Sequence, residues 1–279
     1  MRRALALLTL GAVLGVAIYI PLVRSSRNRD TALGQLRDRV IPMENITLPP
    51  SDSEQTQLYK RYGPTKRSQE YEEWIVRDFF KDKRGGVFVD IGAADYREGS
   101  NTFVLETELD WSGIAVDAQD SYRANWERYR PRTRFAAMFV SDRTNDNARL
   151  FLSKAGGFVA SSRREFTEGF GTIAGSVDVP TITMNDLLDA AKVSTFDFLS
   201  LDIELAEPLS LAGFDIQRFA PTLVCVEAHT QVRQQILDYF AANHYVVVGK
   251  YLRVDPLNIW FMPDGASVEP FSLERAIAQ

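Results

Sequence analysis

Carboxylates at the ends of apolar runs are the chemistry-bearing residues of this sequence. Asp90 lies in Val87-Phe88-Val89-Asp90-Ile91-Gly92-Ala93, and Asp117 ends Ser112-Gly113-Ile114-Ala115-Val116-Asp117. Asp202 and Glu204 end Leu199-Ser200-Leu201-Asp202-Ile203-Glu204, and Glu227 ends Leu223-Val224-Cys225-Val226-Glu227, with His229 close behind. Such runs fit strands buried on both faces, and in an open parallel sheet the carboxyl ends of the strands line the ligand crevice. Asp117, at the tip of the second strand, is placed to accept both hydroxyls of a ribose. The first turn holds Gly92 but then Ala94, Asp95 and Tyr96, without the three close glycines a pyrophosphate dinucleotide needs. Asp90 and Asp95 would repel a pyrophosphate and suit a cation such as the sulfonium and amino group of S-adenosylmethionine. Charge therefore favours methyl transfer over hydride transfer from a nicotinamide cofactor. Asp142 follows the third strand, where an adenine amino group is commonly met.

Methyl transfer to a hydroxyl needs a base within hydrogen-bond reach of the acceptor. Asp202 is the first candidate for that base or for orienting the acceptor, with Glu227 and His229 second, histidine because its free pKa lies near neutral. His229 also reads as a cap on the following helix. Glu204 and Glu207 are candidates for holding the acceptor, and equally for capping a helix or pairing with an arginine. Asp202, Glu204 and Glu227 together carry the oxygen ligands of a divalent metal, but acid clusters at strand ends are common without one, and no metal is expected.

The elements that position these residues follow from the apolar pattern. Tyr71, Trp74, Ile75, Phe79 and Phe80 recur at helical spacing. After the first strand, Ser100-Asn101-Thr102 supplies N-cap chemistry for a helix over 102–109. The second strand is followed by a helix over 122–130 and a third strand over 135–140. Residues 150–180, rich in Gly, Ser and Thr, read as a β-hairpin or mobile loops beside the site. A helix capped by Thr183 or Asn185 precedes the fourth strand at 196–204 and the fifth at 223–227. A helix over 232–242 and strands over 245–251 and 258–262 close the chain, the last two as an antiparallel pair at the sheet edge. The fold class is α/β: a Rossmann-like, doubly wound, seven-stranded sheet with a C-terminal antiparallel hairpin.

The 279 residues carry a net charge of −5, which gives no reason to expect nucleic acid as a partner. One cysteine, Cys225, inside an apolar run, excludes an internal disulfide, and two histidines exclude a Cys/His zinc cluster. Residues 4–23, mostly apolar behind Arg2 and Arg3, are long enough to cross a bilayer core of roughly 30 Å. They read as a retained anchor rather than a cleaved leader, and the arginines that follow place the rest of the chain in the cytoplasm. The expected organisation is a transmembrane helix over 1–24, a polar linker over 25–67 with one short helix near 31–40, and a catalytic domain over 68–279. Asn45-Ile46-Thr47 matches a glycosylation sequon, a triplet common by chance.

Taken together, Ser68-Gln69, the Val87–Ala93 motif, Gly99-Ser100-Asn101-Thr102, Trp111-Ser112-Gly113-Ile114 and Leu199-Ser200-Leu201-Asp202-Ile203-Glu204-Leu205-Ala206-Glu207 with Gly213-Phe214-Asp215 resemble the FkbM family of S-adenosylmethionine-dependent methyltransferases. The resemblance covers about 68–262. It implies a class I methyltransferase that O-methylates sugars or other hydroxylated metabolites. Asp90, Gly92 and Asp95 would line the methionine half of the cofactor, Asp117 the ribose and Asp142 the adenine. Asp202, Glu204 and Glu207 would form the acidic motif after the fourth strand. Ala94 and Tyr96 stand where the family tends to have Asn and Gly, Asp117-Ala118 replaces Glu-Pro, and Leu205 replaces a glycine. Tyr96 and Leu205 motivate an alternative, a catalytically inactive binding module of the same fold.

Overall fold

The computed structural model describes residues 51–63 and 66–269. The chain opens on two packed helices, α1 (Ser51–Tyr62) and α2 (Glu72–Phe80). α1 falls in the stretch read as a linker, yet Leu58 and Tyr62 are buried in the same core cluster as Trp74 and Ile75 of α2. Two apolar residues four apart make a contact stripe too narrow to register as a sequence period.

The doubly wound half comprises β1 (Val87–Ile91), α3 (Phe103–Leu109), β2 (Ser112–Asp117), α4 (Arg123–Tyr129) and β3 (Thr133–Ala137). An insertion follows: β4 (Phe139–Val140), β5 (Asn147–Ser153), β6 (Gly156–Ser161), α5 (Arg164–Gly169) and β7 (Ile173–Ile182). The chain then returns through α6 (Met184–Ala190), β8 (Phe198–Leu201), α7 (Glu207–Ala212), α8 (Ile216–Phe219), β9 (Leu223–Glu227), α9 (Arg233–Ala242), β10 (Tyr245–Val247) and β11 (Asn258–Pro263).

Seven strands form one sheet in the order β10-β11-β9-β8-β1-β2-β3. β3, β2, β1, β8 and β9 are mutually parallel, whereas β11 runs antiparallel to both β9 and β10. The expected closing pair is present, but β11 sits inside the sheet and β10 at its edge. The reason lies in burial: Asn258 to Met262 are all buried, and Trp260 stacks on Phe198 with ring planes 8° apart, contacts an edge strand could not keep.

The expected third strand, 135–140, divides between two sheets. Its first part pairs with β2; at Met138 the backbone N–H donates to the Asp117 carbonyl, and Phe139 and Val140 then pair with β7 in a four-stranded sheet, β4-β7-β5-β6. The Gly- and Ser-rich insertion is thus ordered sheet, held by the long antiparallel β5–β7 ladder. Thr183 caps α6 as expected, accepting from the Asp186 N–H at 3.0 Å. Thr102 does not cap α3; its hydroxyl donates to Asp90 instead.

No helix among the described residues is long and apolar enough to cross a membrane. On that finding the expected single-pass membrane placement with a cytoplasmic domain is corrected: no described helix spans a bilayer. The segments at 4–23 and 31–40 and the sequon at Asn45 lie outside the described residues.

Candidate functional site

A single turn aligns the first carboxylate with the sheet tip. Gly92 leaves β1 at φ +86°, where a Cβ would lie 1.6 Å from the Asp202 carbonyl oxygen, so no other residue passes there without moving the β8 tip. Asp90, just before it, is buried and accepts from the Thr102 hydroxyl at 2.8 Å. Burial pushes its carboxyl up to about 6, against the opposing pull of Thr102 and Arg130. Asp117, at the tip of β2, accepts the Ala94 N–H at 3.0 Å and the Gln119 N–H at 2.7 Å, and burial raises it to about 6 as well. Each oxygen keeps a lone pair for a hydroxyl donor.

Both acids line one cavity of ≈ 340 Å³, within the roughly 300–1,000 Å³ typical of small-molecule sites. Asp95 does not line it: its carboxylate folds back onto the N–H groups of Arg97 and Glu98, both at 2.9 Å, and serves the turn. Asp142 also lies outside, in a separate shallow pocket, because the chain has already left the main sheet at Met138. Met138, Phe139 and Val140 take that wall instead. Tyr96 stacks on Tyr129, centroids 4.9 Å apart, away from the cavity, and so neither narrows it nor meets a ligand there.

Opposite the two acids, the tips of β8 and β9 bring Asp202, Glu204, Glu227 and His229 to the same cavity. Glu204 and Leu205 are both left-handed, φ 54° and 75°, so the turn forms without the glycine the resemblance would supply. Glu207 is fully buried behind it; one carboxylate oxygen accepts the Ile203 N–H at 3.0 Å and the other has no hydrogen-bond partner. It closes the β8–α7 turn and does not line the cavity. His229 Nε2 lies 3.4 Å from Glu204 and 3.0 Å from Glu227. These acids push its pKa up to about 10, Glu204 foremost, so the ring is an imidazolium at neutral pH and cannot take a proton. In this arrangement His229 is the ion-pair partner of Glu204 and Glu227. Burial, reinforced by Glu227 and Glu204, raises Asp202 well above the usual carboxylate range, and burial raises Glu204 and Glu207 to about 7.

The sequence did not mark the remaining walls. Phe158, from the Gly-rich β5–β6 hairpin, and Phe170, after α5, stand half-exposed at the cavity, and Gln119 ties the hairpin to the β2 tip through the Gly157 carbonyl at 3.0 Å. An aromatic among glycines was the one available signal. Asn101 and Ser200, hydrogen-bonded at 3.0 Å, line the floor. Gln69 and Glu72 line the cavity, and Glu70 between them does not. Two groups of side chains have metal-ligand spacing: Glu204, Glu227 and His229; and Asp202, Glu207 and Glu227.

A doubly wound sheet with one antiparallel strand, acids at the first two strand tips and a cavity between them defines a Rossmann-like α/β protein with a small-molecule-sized site at its strand tips. The chain belongs to the methyltransferase FkbM domain family, whose pattern it matches over residues 90–247. No curated protein sequence matches it. Among solved structures, it resembles a protein assigned as an rRNA-methylase from Clostridium thermocellum at 9% identity and TM-score 0.42, covering 74% of this chain and 100% of that one. It also resembles a protein assigned as an RNA methyltransferase from Pyrococcus horikoshii at 12% identity and TM-score 0.36, covering 79% of this chain and 100% of that one.

Proposed function

We propose that this methyltransferase-family chain uses S-adenosylmethionine to O-methylate a hydroxylated small molecule, sugar or glycan. The observation that carries the reading is that Asp90 and Asp117 share one cavity with the Asp202–Glu204–Glu227–His229 group. The bound donor would supply an electrophilic methyl on a sulfonium. Asp117 accepts the ribose hydroxyls and Asp90 offers negative charge to the methionine half. Glu204, lining the cavity beside His229, takes the hydroxyl proton as the acceptor oxygen bonds to the methyl carbon and the sulfur–carbon bond breaks. Asp202, on the same cavity wall, orients the acceptor. Phe158 and Phe170 cover the acceptor and exclude water.

Calorimetry of the full chain with S-adenosylmethionine tests the donor half. Binding is expected, and Asp117→Ala is expected to weaken it about 10- to 100-fold, the worth of one or two charge-assisted hydrogen bonds. Absence of binding by the unaltered chain would overturn the reading. Transfer of a labelled methyl group to hydroxylated acceptors, lost in Glu204→Gln with donor binding retained, tests the acceptor half.

A further inference from the structure

We infer that Asp202, Glu207 and Glu227 form a binding site for a divalent cation on the inner wall of the cavity. Each offers one carboxylate oxygen, and the three oxygens lie within 4.8 Å of one another. That is the span a single ion accommodates, since oxygen ligands about 2.0–2.6 Å from it stand at most about 5 Å apart. Independently of this spacing, the second oxygen of Glu207 is buried with no hydrogen-bond partner, in a side chain with 0% exposure. A carboxylate oxygen left bare in the interior costs on the order of 1–3 kcal/mol or more, and the carboxylate that carries it belongs to a group of acids that a cation would satisfy together. One oxygen of Glu227 is likewise buried without a hydrogen bond, with the His229 ring nitrogen 3.0 Å away.

The competing donor group, Glu204, Glu227 and His229, shares the Glu227 orphan but lacks the fully buried one on Glu207. Among the described residues no lysine or arginine lines the cavity, and His229 lies by Glu227 alone of Asp202, Glu207 and Glu227. An all-oxygen donor set selects a hard ion, Mg²⁺, Mn²⁺ or Ca²⁺, over zinc. Asp202 lines the cavity, giving the ion an entry path and leaving its outer coordination positions to water or to a ligand oxygen. Its role, holding the acceptor hydroxyl against the methyl donor and favouring the alkoxide, rests on the proposed methyl transfer; the site itself does not.

The test is Mn²⁺ binding to the metal-free full chain, without methyl donor, by calorimetry and by the spin-resonance signal of free Mn²⁺. One ion per chain is expected, with Glu207→Gln and Glu227→Gln each weakening binding at least tenfold and Asp142→Asn, outside the cavity, leaving it unchanged. If Glu207→Gln does not fold, as judged by circular dichroism, Glu227→Gln at the cavity wall decides the matter alone. No uptake at millimolar Mn²⁺, or uptake unchanged in the folded variants, overturns the inference. Donor binding measured on the same samples separates the two proposals: Mn²⁺ bound without donor binding removes the methyl-transfer reading and leaves the cation site standing.

Discussion

Asp90 meets a hydroxyl and the field of a buried arginine, yet burial still lifts its carboxyl to about 6. The sign of the consequence follows from linkage. An unfolded aspartate titrates near 3.9, so between roughly pH 4 and 6 the folded chain holds this proton more tightly than the unfolded one. The associated stability is fully present below about pH 4 and is lost as pH rises through 6, on the order of 2–3 kcal/mol. Asp90→Asn, which keeps the shape and faces hydroxyls able to donate or accept, removes that term. Its melting temperature relative to the unaltered chain is expected to increase from pH 4.5 to pH 7.5; a difference constant across that range would refute the shifted carboxyl. The same ionisation governs the ligand: affinity for a cationic donor is expected to fall below about pH 6, read by calorimetry at pH 5 and 7.5.

Among the elements, the turn after β1 depends on two residues that bear no chemistry. Arg130 is fully buried and reaches Glu106 at 2.6 Å, the Tyr96 carbonyl at 2.8 Å and the Thr102 carbonyl at 2.9 Å. It therefore binds α3 and the 96–102 turn to the end of α4, and through Thr102 it fixes the partner of Asp90. Arg130→Met leaves Glu106 charged and buried, a loss of about 3–5 kcal/mol expected from urea unfolding. Gly92→Ala places a methyl against the Asp202 backbone at a left-handed φ, which costs about 3 kcal/mol or more and pushes β8 from β1. Donor binding and thermal stability are expected to fall together in that variant, whereas an unchanged melting temperature would show that the turn can relax.

At the scale of the molecule, α1 completes the core cluster beneath the sheet rather than trailing from it. Leu58, 1% exposed, packs with the cluster that holds Trp74, Trp111 and Trp260. Leu58→Ala is expected to cost about 2–5 kcal/mol in chemical unfolding, and a loss under 1 kcal/mol would place α1 outside the folding unit. The four-stranded insertion is the second whole-molecule feature, since it carries Phe158 and Phe170 to the cavity. It adds a further wall to the crevice at the strand tips, and a segment so placed can vary without disturbing the sheet.

The sequence alone determined the parallel strands, because Val87–Ile91, Ser112–Asp117 and Leu223–Glu227 are apolar runs that only a sheet covered on both faces can bury. It also determined which acids end them, since a strand's length sets which residue stands at its tip. Tertiary structure decided the rest. Met138 turns the chain into a second sheet and takes Asp142 away from the cavity, a choice made by pairing with β7, more than thirty residues further on. His229 gains two acidic neighbours because Glu204, after β8, and Glu227, at the end of β9, converge on it. α1 joins the core through two residues whose partners lie on distant elements, and Glu207 keeps a bare oxygen because the Ile203 N–H that meets its carboxylate reaches only the other oxygen. Periodicity and strand tips are local properties of a chain; the field around a titrating group and the partner of a buried atom exist only once distant segments meet.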